Sequence, residues 1–582
     1  MPNRLALLLA VCCITSVAAQ PPAQKDDAYQ TIRKNDLVRL KAIVRTAADA
    51  NAKNEAGDPL LLTAAGAGSV DAMRLLLDKG ADVKAKDAFG NTMLGAAAVG
   101  NDLNAIRIMV DAGIDVNGAG LNGVTPLMSV AYYNNMAAAT LLVGKGAKVN
   151  VACKAPLMFP IENPKSGPLT LETITPLMIA AVAGSPEMVK LFVDAGADVN
   201  ATDVRKMTPL MLAVARNRQD PAIIRLLIDR GADLTLQSGA GETAADWARK
   251  VGRPAGVDIL KVTAAPERRP ADKPAPAGDA RAAAERSMAL LETSSRKFYE
   301  TSGCISCHHQ NITDLAAAEA RAKGLTISAD AAMGRMKMLS TQPPAQGLYE
   351  RMDIGVPEIF AQQLTSFAAL DVPPNPATDA LVANIAATQS ADGSWFASGG
   401  VNDRPPAEEG RITRTALCIR ALKVYGPPGR AIEMKARLAN ARRWLLAAEP
   451  VTSEERNMQL LGIHWAGADP VTLKKLAAPI LAAQQPDGGW RQQERLSSDA
   501  YATGQSLYVL AKVGALAPSA PAYAKGVAFL MSTQAANGSW RVTSRSPKFQ
   551  AYFNSGFPYA GDQWISAWAT GWATMALAQA VR

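Results

Sequence analysis

The sequence predicts an all-α protein built from two different tandem arrays of paired helices, and three observations carry that prediction. Near the C-terminus one phrase recurs three times: Gln389-Ser-Ala-Asp-Gly393-Ser-Trp395, Gln484-Gln-Pro-Asp-Gly488-Gly-Trp490 and Gln534-Ala-Ala-Asn-Gly538-Ser-Trp540. Each copy sits between two apolar helical stretches. In the first half a different phrase recurs, with Asp49, Asp82 and Asp115 spaced 33 residues apart. A stretch rich in Pro, Ala and charge separates the two arrays, and eight of the nine Trp residues follow Gly393, so the halves are expected to fold separately.

The N-terminus, residues 1–19, reads as a secretory signal: Arg4, an apolar run from Leu5 to Val17, then Ala18-Ala19, after which cleavage is expected. Cys12 and Cys13 would leave with it. No later stretch reaches the ~20 apolar residues of a membrane span. The mature chain is therefore expected to be exported, periplasmic or extracellular, where thiols can be oxidised.

Residues 27–260 carry the first array. Gly80-Ala-Asp82-Val, Gly113-Ile-Asp115-Val, Gly146-Ala-Lys148-Val, Gly196-Ala-Asp198-Val and Gly231-Ala-Asp233-Leu mark one position per repeat. Helix starts fall at Thr92, Thr125-Pro126-Leu127, Thr175-Pro176-Leu177 and Thr208-Pro209-Leu210. Thr caps such a helix and Pro fits its first turn. This period, start and close resemble the ankyrin repeat. The resemblance implies a solenoid with a protein-binding face, so a protein partner is expected. The family's His after T-P-L is replaced by Met128, Met178 and Met211. An insertion near 152–173 lengthens one repeat, either as a tolerated loop or as part of a binding face.

Residues 261–285 are expected to be a linker, and residues 286–582 hold the second array. In each of its turns Gly supplies a positive φ, Asp or Asn before it favours the turn, and Trp offers a large apolar plate. Ala500-Tyr-Ala-Thr503-Gly504 and Ala567-Trp-Ala-Thr570-Gly571 align in long helical stretches, with Thr413-Arg-Thr415 at the equivalent place. A joint lacking Gln and Trp is expected between helices 441–448 and 459–466. The turns resemble the QW motif of squalene cyclases and protein prenyltransferases. That resemblance implies an α/α-toroid, with inner helices around an apolar cavity, here of five to six helix pairs. An apolar ligand of the isoprenoid kind is the implied occupant, with Tyr501, Trp564, Trp568 and Trp572 as its aromatic contacts.

Gly303-Cys304-Ile-Ser-Cys307-His308-His309 is the chemical motif that stands out. Cys-x-x-Cys-His is the c-type haem attachment signature, with thioethers at Cys304 and Cys307 and iron on His308. Met336 is the downstream candidate for the opposite axial position. A Cys304–Cys307 disulfide or a metal site using the histidines are the alternatives.

Catalysis of the cyclase kind needs a buried acid. The D-x-D-D acid of protonating cyclases is absent, as are the zinc ligands of prenyltransferases. Asp499, at the start of an inner helix, is the candidate acid, and an N-cap is its alternative role. The net charge of +9 comes without a basic run interleaved with aromatics, which argues against nucleic acid as a partner. The sequence thus supports a protein-binding solenoid joined to a ligand-binding, haem-carrying ring. An isoprenoid-transforming enzyme and a cofactor-free scaffold are the competing readings.

Overall fold

The computed structural model describes residues 28–32, 35–54, 57–87, 90–120, 123–154, 173–262, 274–276, 278–302, 308–339, 357–395, 405–407, 410–547 and 554–581. The expected signal segment, most of the insertion, most of the linker, and Cys304 and Cys307 lie outside them. The side chains of His308 and Met336 do too. The described residues are all-α apart from one short antiparallel pair, Trp490–Arg491 with Ser498–Asp499, and isolated bridges. The chain divides into two compact units, Met1–Lys148 and Val149–Arg582.

The first unit is a stack of helical hairpins, Leu60–Gly66 with Val70–Asp78, Met93–Val99 with Leu103–Asp111, and Pro126–Tyr132 with Met136–Gly144. Thr92 and Thr125 cap their helices by accepting from the third helical N–H. Adjacent repeats are tied by asparagine. Asn51 donates to the Gly80 carbonyl at 2.8 Å and accepts from the Asp82 N–H at 2.7 Å. Asn117 does the same to Gly146 and Lys148, at 3.2 and 2.8 Å. This clasp is one polar tether between repeats, beside the Ser69–Asn35 and Asn135–Asn101 hydrogen bonds. The Met residues that replace His are buried and simply pack.

The second unit opens with hairpins of the same kind, Pro176–Ala183 with Pro186–Asp194 and Pro209–Val214 with Pro221–Asp229. A further pair, Ala244–Val251 and Pro254–Ile259, follows. Asn150 and Asn200 repeat the clasp onto Gly196/Asp198 and Gly231/Asp233.

The rest of this unit is a ring of longer helices. They are α1 (Ala280–Ser302), α2 (His308–Ala322), α3 (Ala329–Leu339), α4 (Pro357–Ala369), α5 (Pro376–Ala387) and α6 (Arg411–Tyr425). After these come α7 (Ala431–Ala447), α8 (Ser453–Trp465), α9 (Pro470–Ala482), α10 (Ala500–Lys512), α11 (Pro521–Thr533) and α12 (Gln563–Ala580). Helix replaces the expected linker at Ala280, where Asp279 accepts the Ala282 N–H and caps α1. The inner helices touch in sequence, α2 with α4, then α6, α8, α10 and α12, and α12 returns to α2. The packing circuit is therefore closed.

The recurring turn is the joint between outer and inner helices, and its three copies share the same bonds. The indole N–H of Trp395, Trp490 and Trp540 donates to the carbonyl of Ile385, Ile480 and Leu530, all at 2.7–2.8 Å. The backbone N–H of the same Trp residues donates to Thr415, Thr503 and Thr570 on the next inner helix. Gln389, Gln484 and Gln534 bond their own turn and then a carbonyl of the next outer helix around the circuit, respectively Arg437, Ala522 and Ala283, the last of these on α1. Gly488, at φ +86°, sits so near the Lys525 carbonyl that a Cβ would lie 2.5 Å from its oxygen. Here only Gly satisfies both the left-handed backbone and the close approach. The joint between α7 and α8 lacks Gln and Trp at the turn. Gln459 takes over by donating to the Leu445 and Ala448 carbonyls at 2.7 and 2.8 Å.

Candidate functional site

Small residues let the inner helices close around a narrow space. A Cβ at Gly504 would lie 2.5 Å from the Ala573 backbone nitrogen, so α10 and α12 meet backbone to backbone there. Larger side chains project inward around the rest of the circuit and line a small cavity between them. All six inner helices contribute to it: Asn311 and Leu315 from α2, Gln362 and Thr365 from α4, Thr413, Leu417 and Arg420 from α6. Glu454, Met458, Leu461 and Trp465 come from α8, Tyr508 from α10, and Trp568, Trp572 and Met575 from α12. The wall is mostly apolar with a few polar groups, the usual make-up of a small-molecule site.

The aromatic residues form one contiguous cluster with their rings tilted to one another. Trp568 and Trp572 have ring centroids 6.3 Å apart, and Tyr508 lies 5.7 Å from Trp572. Two polar atoms of the lining, Trp568 Nε1 and Thr365 Oγ1, are deeply buried and have no hydrogen-bond partner in the protein among the described residues. Buried polar atoms of that kind are normally satisfied, so they mark places where a bound molecule gains a contact.

The lining changes character along α8. At its start is Glu454, 5% exposed, whose Oε2 accepts from the Tyr501 hydroxyl at 2.9 Å and from Gln505. Burial raises its pKa to about 7 against those hydrogen bonds, and the neighbouring Glu455 carboxylate raises it further. Glu454 is thus a carboxyl that can be protonated near neutrality inside an aromatic cavity. At the end of α8 is Trp465, with the Arg420 guanidinium stacked 5.1 Å from its ring centre. Desolvation pulls the Arg420 pKa down, while Tyr508 and Glu319 oppose the shift.

Glu455 ties this region to the repeats of the same unit. It accepts from Arg218 at 3.0 Å and from the Val451 N–H at 2.7 Å. Arg218 also reaches the Glu449 carbonyl, and Arg253 donates to the Val451 carbonyl. Asn217 accepts from Gln493 and from Arg545. The last repeats are therefore anchored to the loop that begins α8, one residue from the cavity carboxyl.

Of the residues expected from sequence, Trp568 and Trp572 line the cavity. Tyr501 stands behind it, holding Glu454. Trp564 turns aside and donates its indole N–H to Ser544 at 3.1 Å. Asp499 caps α10, accepting the Ala502 N–H at 2.9 Å and Gln492 at 2.8 Å, and is not among the described lining residues. Burial raises the Asp499 pKa to about 6. Sequence reasoning passed over Glu454, Arg420 and Tyr508. A signal existed for Arg420: with Thr413 and Leu417 it shares one face of α6.

Among the described residues no cluster of His, Cys, Asp and Glu forms a metal site, and no helix is long and apolar enough to cross a membrane. The family of ankyrin repeats, in three copies, matches residues 29–119, 61–153 and 157–238. These residues are therefore ankyrin repeats, a protein-binding module. No curated protein matches the chain.

Among solved structures, the ankyrin repeat domain of Bcl-3 is similar at 23% identity, covering 40% of this chain and 97% of that one, with a TM-score of 0.31. The human ASB11 ankyrin repeat domain is similar at 19% identity, covering 41% and 99%, with a TM-score of 0.33. The structure of the Bd0816 predatory endopeptidase from Bdellovibrio bacteriovorus in complex with immunity protein Bd3460 is similar at 24% identity, covering 36% and 98%, with a TM-score of 0.30.

Proposed function

We propose that this is an exported binding protein whose ankyrin repeats hold a protein partner while a squalene cyclase-like helical ring takes an apolar ligand. The cavity, to which all six inner helices contribute, is the observation that carries the ligand half of the reading. Its aromatic cluster and unpartnered polar atoms supply apolar contact and orientation. Incubation of the purified chain with a lipid extract, followed by native mass spectrometry, tests it. Co-purifying apolar molecules that Leu461→Trp expels support the reading, and an empty protein in every extract removes it.

The same protein is proposed to carry haem c. The donor set suits it: Cys304 and Cys307 would form the two thioethers, and His308 and Met336 would hold the iron. Bound haem would supply one-electron chemistry beside the ring. Expression in a periplasmic strain with haem-attachment machinery should give a Soret band that survives denaturation and disappears in Cys304→Ser/Cys307→Ser. A colourless product from that strain would overturn the haem assignment.

One observation favours a second reading, acid-initiated isoprenoid chemistry. Glu454 is a buried carboxyl held near a pKa of about 7 beside Trp568 and Trp572, whose π faces stabilise cationic carbon. Asp499, raised to about 6, is the other acid available. Turnover of an isoprenoid by wild type but not by Glu454→Gln or Asp499→Asn would select this reading and name the acid.

A further inference from the structure

We infer that the α6–α11 sector of one end of the helical ring docks on an anionic phospholipid bilayer, with Ile432 and Val471 entering the leaflet and the lysines around them meeting its headgroups. Docking of this kind is independent of what the ring cavity holds. At this end the inner helices α6, α8 and α10 hand over to the outer helices α7, α9 and α11 through short connections. Ile432, the second residue of α7, is 91% exposed, and Val471, the second residue of α9, is 79% exposed. No other large apolar residue described in the ring is so open. Val424, near the end of α6, adds a third exposed apolar tip. Aliphatic side chains gathered in this way mark a surface that meets something apolar.

Charge narrows the partner. Lys423, Lys435, Lys474, Lys475 and Lys525 are exposed in the same sector, and none of them forms an ion pair among the described residues. The carboxylates of the sector are engaged: Glu433 is held by Arg430 and Arg437, and Asp469 caps α9. Lys435, Lys474 and Lys525 are each the fifth residue of their outer helix, toward the positive end of its macrodipole, where a cation gains nothing from the helix itself. The complement of such a surface is an anionic one, and lysines of this kind are drawn to acidic headgroups.

Shape separates a bilayer from an acidic protein. Arg437 and Ala522 hold the same place in the ring, since each accepts from the Gln of the preceding joint. Yet Arg437 is the seventh residue of α7 and Ala522 the second of α11, so α7 starts five residues sooner. That carries Ile432 outward by about 7 Å, at a rise of about 1.5 Å per residue. A stable protein interface needs a continuous patch of about 800 Å² on each partner. Projecting aliphatic tips, among lysines whose own stems are apolar, fit the interfacial zone of a leaflet instead. The opposite end of the ring is already occupied, because Arg218 of the repeats holds Glu455 at the start of α8.

The test is co-sedimentation of the full chain, purified after export, with vesicles of phosphatidylcholine plus phosphatidylglycerol and with vesicles of phosphatidylcholine alone. Binding to the mixed vesicles is expected to be about ten-fold tighter or more at low salt, and to weaken as salt screens the lysines. One lysine near an anionic leaflet is worth roughly five-fold, so Lys474→Glu/Lys475→Glu should cost about twenty-five-fold or more. Ile432→Asp/Val471→Asp should weaken binding by about ten-fold or more, through loss of the inserted tips. All four side chains are exposed, so thermal midpoints should stay at the wild-type value and separate lost docking from lost folding. Equal binding to the two kinds of vesicle, no binding to either, or binding that survives both double variants overturns the docking.

Discussion

Gln534 donates to the carbonyl of Ala283 at 2.9 Å, a bond between residues 251 positions apart. It is the same bond that Gln389 and Gln484 make to a later outer helix, and here the next outer helix is the first one. Gln534 Oε1 also accepts from Arg286 on α1 at 2.8 Å. Closure thus repeats an internal joint. Gln534→Ala removes both bonds, together with the one to the Gly538 carbonyl of its own turn, and leaves the Ala283 carbonyl without this donor. A loss of about 2–3 kcal/mol in unfolding free energy is expected by denaturant titration. An unchanged midpoint would mean that closure is carried by the remaining contacts, among them apolar packing and the Ser287–Thr574 hydrogen bond.

Gly488 is the position where substitution should hurt most for the least added volume. Gly488→Ala places a methyl 2.5 Å from the Lys525 oxygen in a left-handed conformation at φ +86°. The expected cost is at least about 2 kcal/mol, from backbone strain and overpacking together. Gly467→Ala, at φ +77° with nothing near its Cβ, isolates the backbone contribution and should cost about half as much or less.

In the first unit the asparagine clasp is missing at one seam, because Lys84 stands where Asn51 and Asn117 stand in neighbouring repeats. A lysine has no acceptor for the Asp115 N–H. Lys84→Asn should install the clasp and stabilise the unit by about 1 kcal/mol, read as a higher thermal midpoint.

Stability should fall as pH rises through neutrality. Burial raises the Glu454 pKa from 4.5 to about 7, so this group favours the fold while protonated. Its contribution is complete below the unfolded value and is lost as pH climbs through the folded one, a swing of about 3 kcal/mol. Asp314 and Asp499, both raised to about 6 mainly by burial, act in the same direction at slightly lower pH. Thermal midpoints should drop between about pH 5 and about pH 8, and Glu454→Gln should flatten the upper part of that slope. A midpoint that rises over this range would contradict the assignment.

The legible part of the fold was that encoded in short local phrases. T-P-L starts and G-A-D-V closes mark repeats because a capping hydroxyl, a helix-compatible Pro and a left-handed Gly act within a few residues of one another. The Gln-to-Trp turns were readable for the same reason, and the structure adds what each letter does: Trp bonds ten residues back, and Gln reaches the next outer helix around the circuit. The cavity was harder to read. Glu454, Arg420 and Tyr508 lie on three helices far apart in sequence, and only ring closure brings them together. Asp499 looked equally suitable because an N-cap and a candidate acid share the same letter and place. Trp564 kept the spacing of Trp568 and Trp572, but α12 rotates it towards Ser544.

The ion pair between Arg218 and Glu455 has a mechanical consequence. A partner that bends or stiffens the final repeats pulls on a charge whose immediate neighbour in the chain faces the cavity. Any displacement of Arg218 leaves Glu455 less neutralised and makes Glu454 harder to ionise. Under the proposed function, a ligand in the pocket would therefore be held differently with a protein partner on the repeats than without one.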